Sequence, residues 1–139
     1  MALEIGIKGK GTVLVERSNS ARVMGSGTLD VFATPAMIAL MEQTAWKSVA
    51  PYLAEGEGTV GTRLNISHDA PTPLGMDVTC ESELIEIDGR RLVFEVVAKD
   101  AADTVIGKGR HERFIINEEK FQKKADAMIK QTEKRHGSL

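Results

Sequence analysis

Residues 32–53 read FATPAMIALMEQTAWKSVAPYL, and this run decides the fold. Its apolar residues recur at helical spacing around most of the circumference. Thr34 is a good N-cap, and Pro35 suits the first turn, where no N–H is required. Pro51 should kink or end the helix, and EGEG at 55–58 stops it. On a helical wheel Met37, Met41, Ala45, Ser48, Val49 and Tyr52 share one side. Ala36, Gln43, Lys47 and Ala54 mark the wetter side. Glu42 falls at the edge of the buried side, where a carboxylate needs water, a partner or a task.

The segments on either side read as strands. GTVLVE at 11–16 predicts a first strand, and the Gly- and Ser-rich stretch at 18–31 predicts a loop. Residues 59–69 alternate, with Val60, Thr62, Leu64, Ile66 and His68 on one face. Residues 76–87 alternate as well, and the change of face near Leu84 and Ile85 predicts a bulge. The Asp88–Gly89 pair signals a hairpin turn. Strands at 91–99 and 104–116 follow. A polar helix is expected over 118–135, with Asn117 as its N-cap and Phe121, Ala125, Met128 and Ile129 as a narrow apolar stripe. A helix as apolar as 34–53 needs covering, which predicts an α+β fold: a curved antiparallel sheet wrapped around one long central helix, plus a C-terminal helix. A dimer that continues the sheet would complete the cover.

The 139 residues fit one domain, 1–139. A net charge of −2 argues against a strongly electrostatic nucleic-acid binder. Cys80 is the single cysteine, so neither an intrachain disulfide nor a Cys-rich metal site can form. One histidine beside scattered carboxylates is no ligand cluster, so no metal or cofactor is expected. No run is long and apolar enough for a membrane span, and the N-terminus lacks a signal-peptide pattern; a cytoplasmic protein is expected.

Three polar residues stand where apolar or capping roles would suffice: Thr34, Glu42 and His68. A carboxylate, an imidazole and a hydroxyl brought together can activate a nucleophile, and a helix N-terminus offers free N–H groups to a developing oxyanion. Spacing alone leaves open whether these three meet.

Several blocks in order carry a family resemblance: ATPAMIALME, APYLAEGEGTVGT, ISHDAPTPLGMDVT, DGRRLVFEVVAKD and IGKGRHERFII. Over about residues 31–121 the chain resembles the hot-dog-fold acyl-CoA thioesterases, most closely the fluoroacetyl-CoA thioesterase family. The resemblance implies hydrolysis of an acyl-CoA thioester to a carboxylic acid and CoA. It assigns Thr34, Glu42 and His68 as the catalytic set. It places Gly61 at the thioester with its backbone amide available, and Arg113 at the substrate site, facing a partner subunit in a homodimer or dimer of dimers. His68 would deprotonate Thr34 or water, or Glu42 would act on the carbonyl or on water while the other two position the ester. Gly107 and Gly109 either give room to the pantetheine arm or bend the last strand. The family's two lid phenylalanines fall on Gly25 and Thr28, with Phe32 out of register, so fluoroacetyl specificity is not implied. A non-catalytic acyl-CoA or small-ligand binding module is the alternative on the same fold.

Overall fold

The computed structural model describes residues 2–136. The long helix, α2, spans Thr34–Val49, and a 3₁₀ turn at Ala50–Tyr52 carries Pro51 past its end. Before it lie strand β1 (Lys8–Leu14), a 3₁₀ turn at Arg17–Asn19 and a short helix α1 (Ala21–Met24). After it come β2 (Glu57–His68), β3 (Asp77–Asp88), β4 (Arg91–Asp100), β5 (Val105–Asn117) and helix α3 (Glu118–His136). The strands form one antiparallel sheet in the order β1-β3-β4-β5-β2, so β1 and β2 are its edges.

The sheet curves over α2. Met37, Met41, Ala45 and Val49 are fully buried, and Leu40 and Thr44 flank them. They meet the inward residues of β3 and β4: Val78, Cys80 and Leu84, then Leu92, Phe94, Val96 and Ala98. Complete burial of each large side chain stabilises the fold by roughly 1.5–3 kcal/mol. The opposite face of α2 is open, with Pro35, Ala39, Gln43, Trp46 and Lys47 exposed.

The hairpin at Asp88 and the bulge at Ile85 are both found, the latter as a register shift between Leu84 and Glu86. Asn117 caps α3 through its Oδ1, which accepts from the Lys120 N–H at 2.9 Å. The stripe on α3 is present but uncovered, since Phe121, Met128 and Ile129 are exposed.

Three expectations change. The first strand begins at Lys8 rather than Gly11. Glycines lower strand propensity, yet here Gly9 and Gly11 let α2 approach β1. A Cβ on Gly9 would lie 2.7 Å from the Thr44 carbonyl oxygen. The 18–31 stretch is no open loop: α1 is capped by Ser20, and bridges Ser20–Phe32 and Val31–Pro73 tie the segment to the body. Finally, the uniform alternation in β2 breaks. Thr62 is an extra residue between the pairs Gly61–Arg113 and Arg63–Glu112. Thr59 and Gly61 therefore face α2 before the bulge, and Leu64, Ile66 and His68 do so after it, while Val60 faces out.

Candidate active site

Thr34 is the first residue of α2, not its cap. Ala33 holds the N-cap position in extended conformation, without a capping side chain. The Thr34 hydroxyl is therefore free for another partner, and it lies 2.7 Å from Nδ1 of His68. His68 closes β2 opposite Gly107, and this pairing turns its ring toward the start of α2. Burial pulls the His68 pKa below the usual histidine value, against the backbone of Ala70 and the charge of Asp69, which raise it. Its Nε2 is buried without a hydrogen-bond partner.

Glu42 lies eight residues further along α2, about 12 Å at the helical rise of 1.5 Å per residue. Its Oε2 accepts from Nη1 of Arg113 at 3.2 Å. The same Nη1 donates to Nε2 of His111 at 3.1 Å. The rest of the guanidinium is occupied by Thr59, through Nε to its Oγ1 at 2.7 Å and Nη2 to its carbonyl at 2.9 Å. The Arg113 side chain is 7% exposed and that of Glu42 is 38% exposed, so the carboxylate has one side on the arginine and one side open. Gly61 lies beneath it: a Cβ there would fall 2.5 Å from Oε2 of Glu42.

The structure thus brings Thr34 to His68, and Glu42 to Gly61 and Arg113. Within the chain the polar partner of Glu42 is the arginine, not the imidazole. A cavity of about 250 Å³ adjoins the first pair, lined by Phe32, Thr34, His68 and Ala70 among others. A groove of about 650 Å³ runs along the open face of α2 past Glu42, Arg113 and Trp46. Phe32 lines both spaces and is their shared wall.

Sequence reasoning missed His111 and Thr59. The signal was available, since alternation in β5 puts His111 on the face of Arg113, and Thr59 precedes Gly61 on the facing strand. At Gly107 and Gly109 the place of a side chain is taken by the protein itself, although Gly109 also lines an open cavity of about 450 Å³. A Cβ would meet Met37 Sδ at 2.6 Å at the first, and the Asn65 carbonyl oxygen at the second. Among the described residues no group of three or more His, Cys, Asp and Glu is arranged to hold a metal ion, and no helix is long and apolar enough to cross a membrane.

Comparison with known proteins places the fold and the family. A fluoroacetyl-CoA thioesterase from Streptantibioticus cattleyicolor is 47% identical over 95 residues, 68% of each chain. A solved fluoroacetyl-CoA thioesterase structure superposes with a TM-score of 0.85 at 36% identity, covering 91% of this chain and 97% of that one. A thioesterase superfamily member from Thermus thermophilus gives a TM-score of 0.81 at 26% identity, covering 98% and 97%. Fold and relatives define the class as hot-dog-fold thioester hydrolases. Within that class the chain belongs to the fluoroacetyl-CoA-specific thioesterase family, whose model matches residues 15–119.

Proposed function

We propose that this protein hydrolyses an acyl-CoA thioester to a carboxylic acid and free CoA, with Thr34, Glu42 and His68 as the catalytic residues. The observation that carries the reading is the 2.7 Å contact between the Thr34 hydroxyl and His68 Nδ1 at the start of α2. A neutral imidazole at that distance can take the proton of the hydroxyl, or of a water in its place, as attack on the thioester carbonyl begins. The His68 pKa, lowered by burial, keeps the ring in the required neutral form near pH 7. Attack makes a tetrahedral oxyanion, and its collapse expels the CoA thiolate, which takes up the proton held by His68. With water as nucleophile the acid is released at once; with Thr34 as nucleophile a water activated by the same imidazole then hydrolyses the acyl-threonine ester. The first turn of α2 leaves N–H groups without intrahelical acceptors beside Thr34, and they suit that oxyanion. Loss of one such donor typically costs about 2.7–4 kcal/mol.

In the other version of the chemistry Glu42, anchored by Arg113 and open to the groove, directs water to an acyl carbon seated above Gly61. Thr34 and His68 then position the ester from the helix start, about 12 Å away along α2. Position 25 closes α1 in a left-handed conformation, φ 78°, that suits glycine and not a bulky lid side chain. The reading is therefore of acyl-CoA hydrolysis, without assured fluoroacetyl selectivity. The protein works in the cytoplasm as a homodimer or dimer of dimers. The twelve-residue edge strand β2 supports that assembly, as do Leu64 on that strand and Trp46 on the groove, both 41% exposed.

The test is thiol release from a panel of short acyl-CoAs by wild type, Glu42→Gln and His68→Ala. Cys80 is buried and its pKa is pushed up to about 11, so the folded protein adds little thiol signal. Both variants should lose most of their kcat/KM while staying folded. Wild-type kcat/KM in both would remove the assignment.

A further inference from the structure

We infer that His111 is a positioning residue of this site: as a neutral imidazole protonated on Nδ1, it fixes the guanidinium of Arg113, and through it the Glu42 carboxylate above Gly61. The inference rests on the hydrolytic reading given above and adds a residue to it.

The hydrogen bonds determine the state of the ring. Nδ1 of His111 lies 2.9 Å from the Arg63 carbonyl oxygen. A carbonyl can only accept, so Nδ1 carries the proton. Nε2 lies 3.1 Å from Nη1 of Arg113. A guanidinium can only donate, so Nε2 is the acceptor. An imidazolium would direct its Nε2–H at a buried cation, where that N–H has no acceptor. The ring is fully buried and its centroid lies 6.3 Å from that of Phe94, in surroundings where an apolar side chain would pack as well. A histidine here has no need to be polar except to hold its two partners.

What it holds is specific. Arg113 makes four hydrogen bonds, and two of them go to Thr59 on the facing strand. Those two fix one edge of the guanidinium. The remaining nitrogen, Nη1, is shared between His111 and Glu42. Without an acceptor at position 111, Nη1 is free to pivot about the Thr59 edge, and the carboxylate follows it. Gly61 bounds the carboxylate from below, so its displacement is into the groove, where the substrate would lie. A shift of about 1 Å at a reacting group can cost 10²-fold in rate.

The experiment compares His111→Gln, His111→Asn and His111→Phe for CoA release, with thermal melting alongside. A glutamine amide oxygen can stand in for Nε2 and accept from Arg113. An asparagine amide can still donate to the Arg63 carbonyl but cannot reach the arginine. Phenylalanine keeps the volume and neither bond. The expected result is a kcat lower by about 10²-fold in the Asn and Phe variants, with KM little changed and most of kcat restored by Gln. Full kcat in the folded Phe variant, or a folded Gln variant no better than Phe, would overturn the proposal. Nitrogen-15 spectra of the wild-type protein give an independent reading at neutral pH. An Nδ1–H tautomer at His111 supports the proposal, and an Nε2–H tautomer or an imidazolium ends it. If Glu42→Gln and His68→Ala abolish hydrolysis while His111→Phe does not, this inference alone fails. If the first two keep activity, the hydrolytic reading fails instead, whatever the spectra show.

Discussion

The hydroxyl of Thr34 lies 2.7 Å from Nδ1 of His68, which joins the first residue of α2 to the last residue of β2. Helix start and strand end are both rigid elements, so the pair is held by the fold rather than by loop geometry.

The first prediction concerns pH. Burial lowers the His68 pKa below the ordinary 6.5, and in the proposed reaction the imidazole must be neutral to accept a proton. Hydrolysis should therefore persist through pH 6.5 and decline only as pH falls through the lower, folded-state value. A kcat/KM profile measures this directly, and an acid limb centred above 6.5 would contradict it. His111 is lowered as well, by burial first and then by Arg113, against the Arg63 carbonyl. Below pH 6.5 the unfolded chain binds more protons at both rings than the folded chain does. Their contribution to stability is thus fully present above 6.5 and is lost as pH falls toward the folded values. Urea unfolding at pH 7.5 and 5.5 should show a shallower decline for His111→Gln than for wild type.

Gly61→Ala separates stability from catalysis. The added Cβ would meet Oε2 of Glu42 at 2.5 Å, and His111 Cε1 and Arg113 Nη1 at 3.2 and 3.3 Å. Oε2 is the far end of a flexible, partly exposed side chain and can yield, so the melting temperature should change little. The carboxylate would then leave its place above residue 61, and kcat should fall by roughly 10²-fold. Unchanged kcat in a well-folded variant would show that the position of Glu42 is not critical.

Gly109→Ala should do the reverse. Here the Cβ would run into the backbone oxygen of Asn65, in a paired strand that cannot move aside alone. Overpacking of this kind costs about 1–3 kcal/mol, and a backbone obstacle puts it at the upper end. Denaturant unfolding should register the loss. Wild-type stability would mean that β2 and β5 can separate locally at no cost.

Much of the fold was legible in the sequence because it is written in local periods. The helical run at 34–49, the proline after it, the alternation of β3 and β4 and the bulge at Ile85 all depend on neighbours within a few residues. The bulge at Thr62 was not legible. Its cause is the fit of β2 against β5, a pairing between residues about fifty positions apart. The missed start of β1 has a similar origin, since Gly9 and Gly11 look unlike strand residues until α2 is seen packed on them.

The site divides along the same line. Its residue types, a threonine at the start of a helix, a carboxylate at the edge of its buried side and an inward histidine, follow from the sequence because each departs from what its local pattern needs. Which of them touch was decided by tertiary structure alone. Eight residues of rigid helix carry Glu42 away from Thr34, and the curvature of the sheet sets Arg113 and His111 against it instead. Periodicity states which way a side chain points. Distance across a sheet is set by how strands register and bend, and no local pattern encodes that.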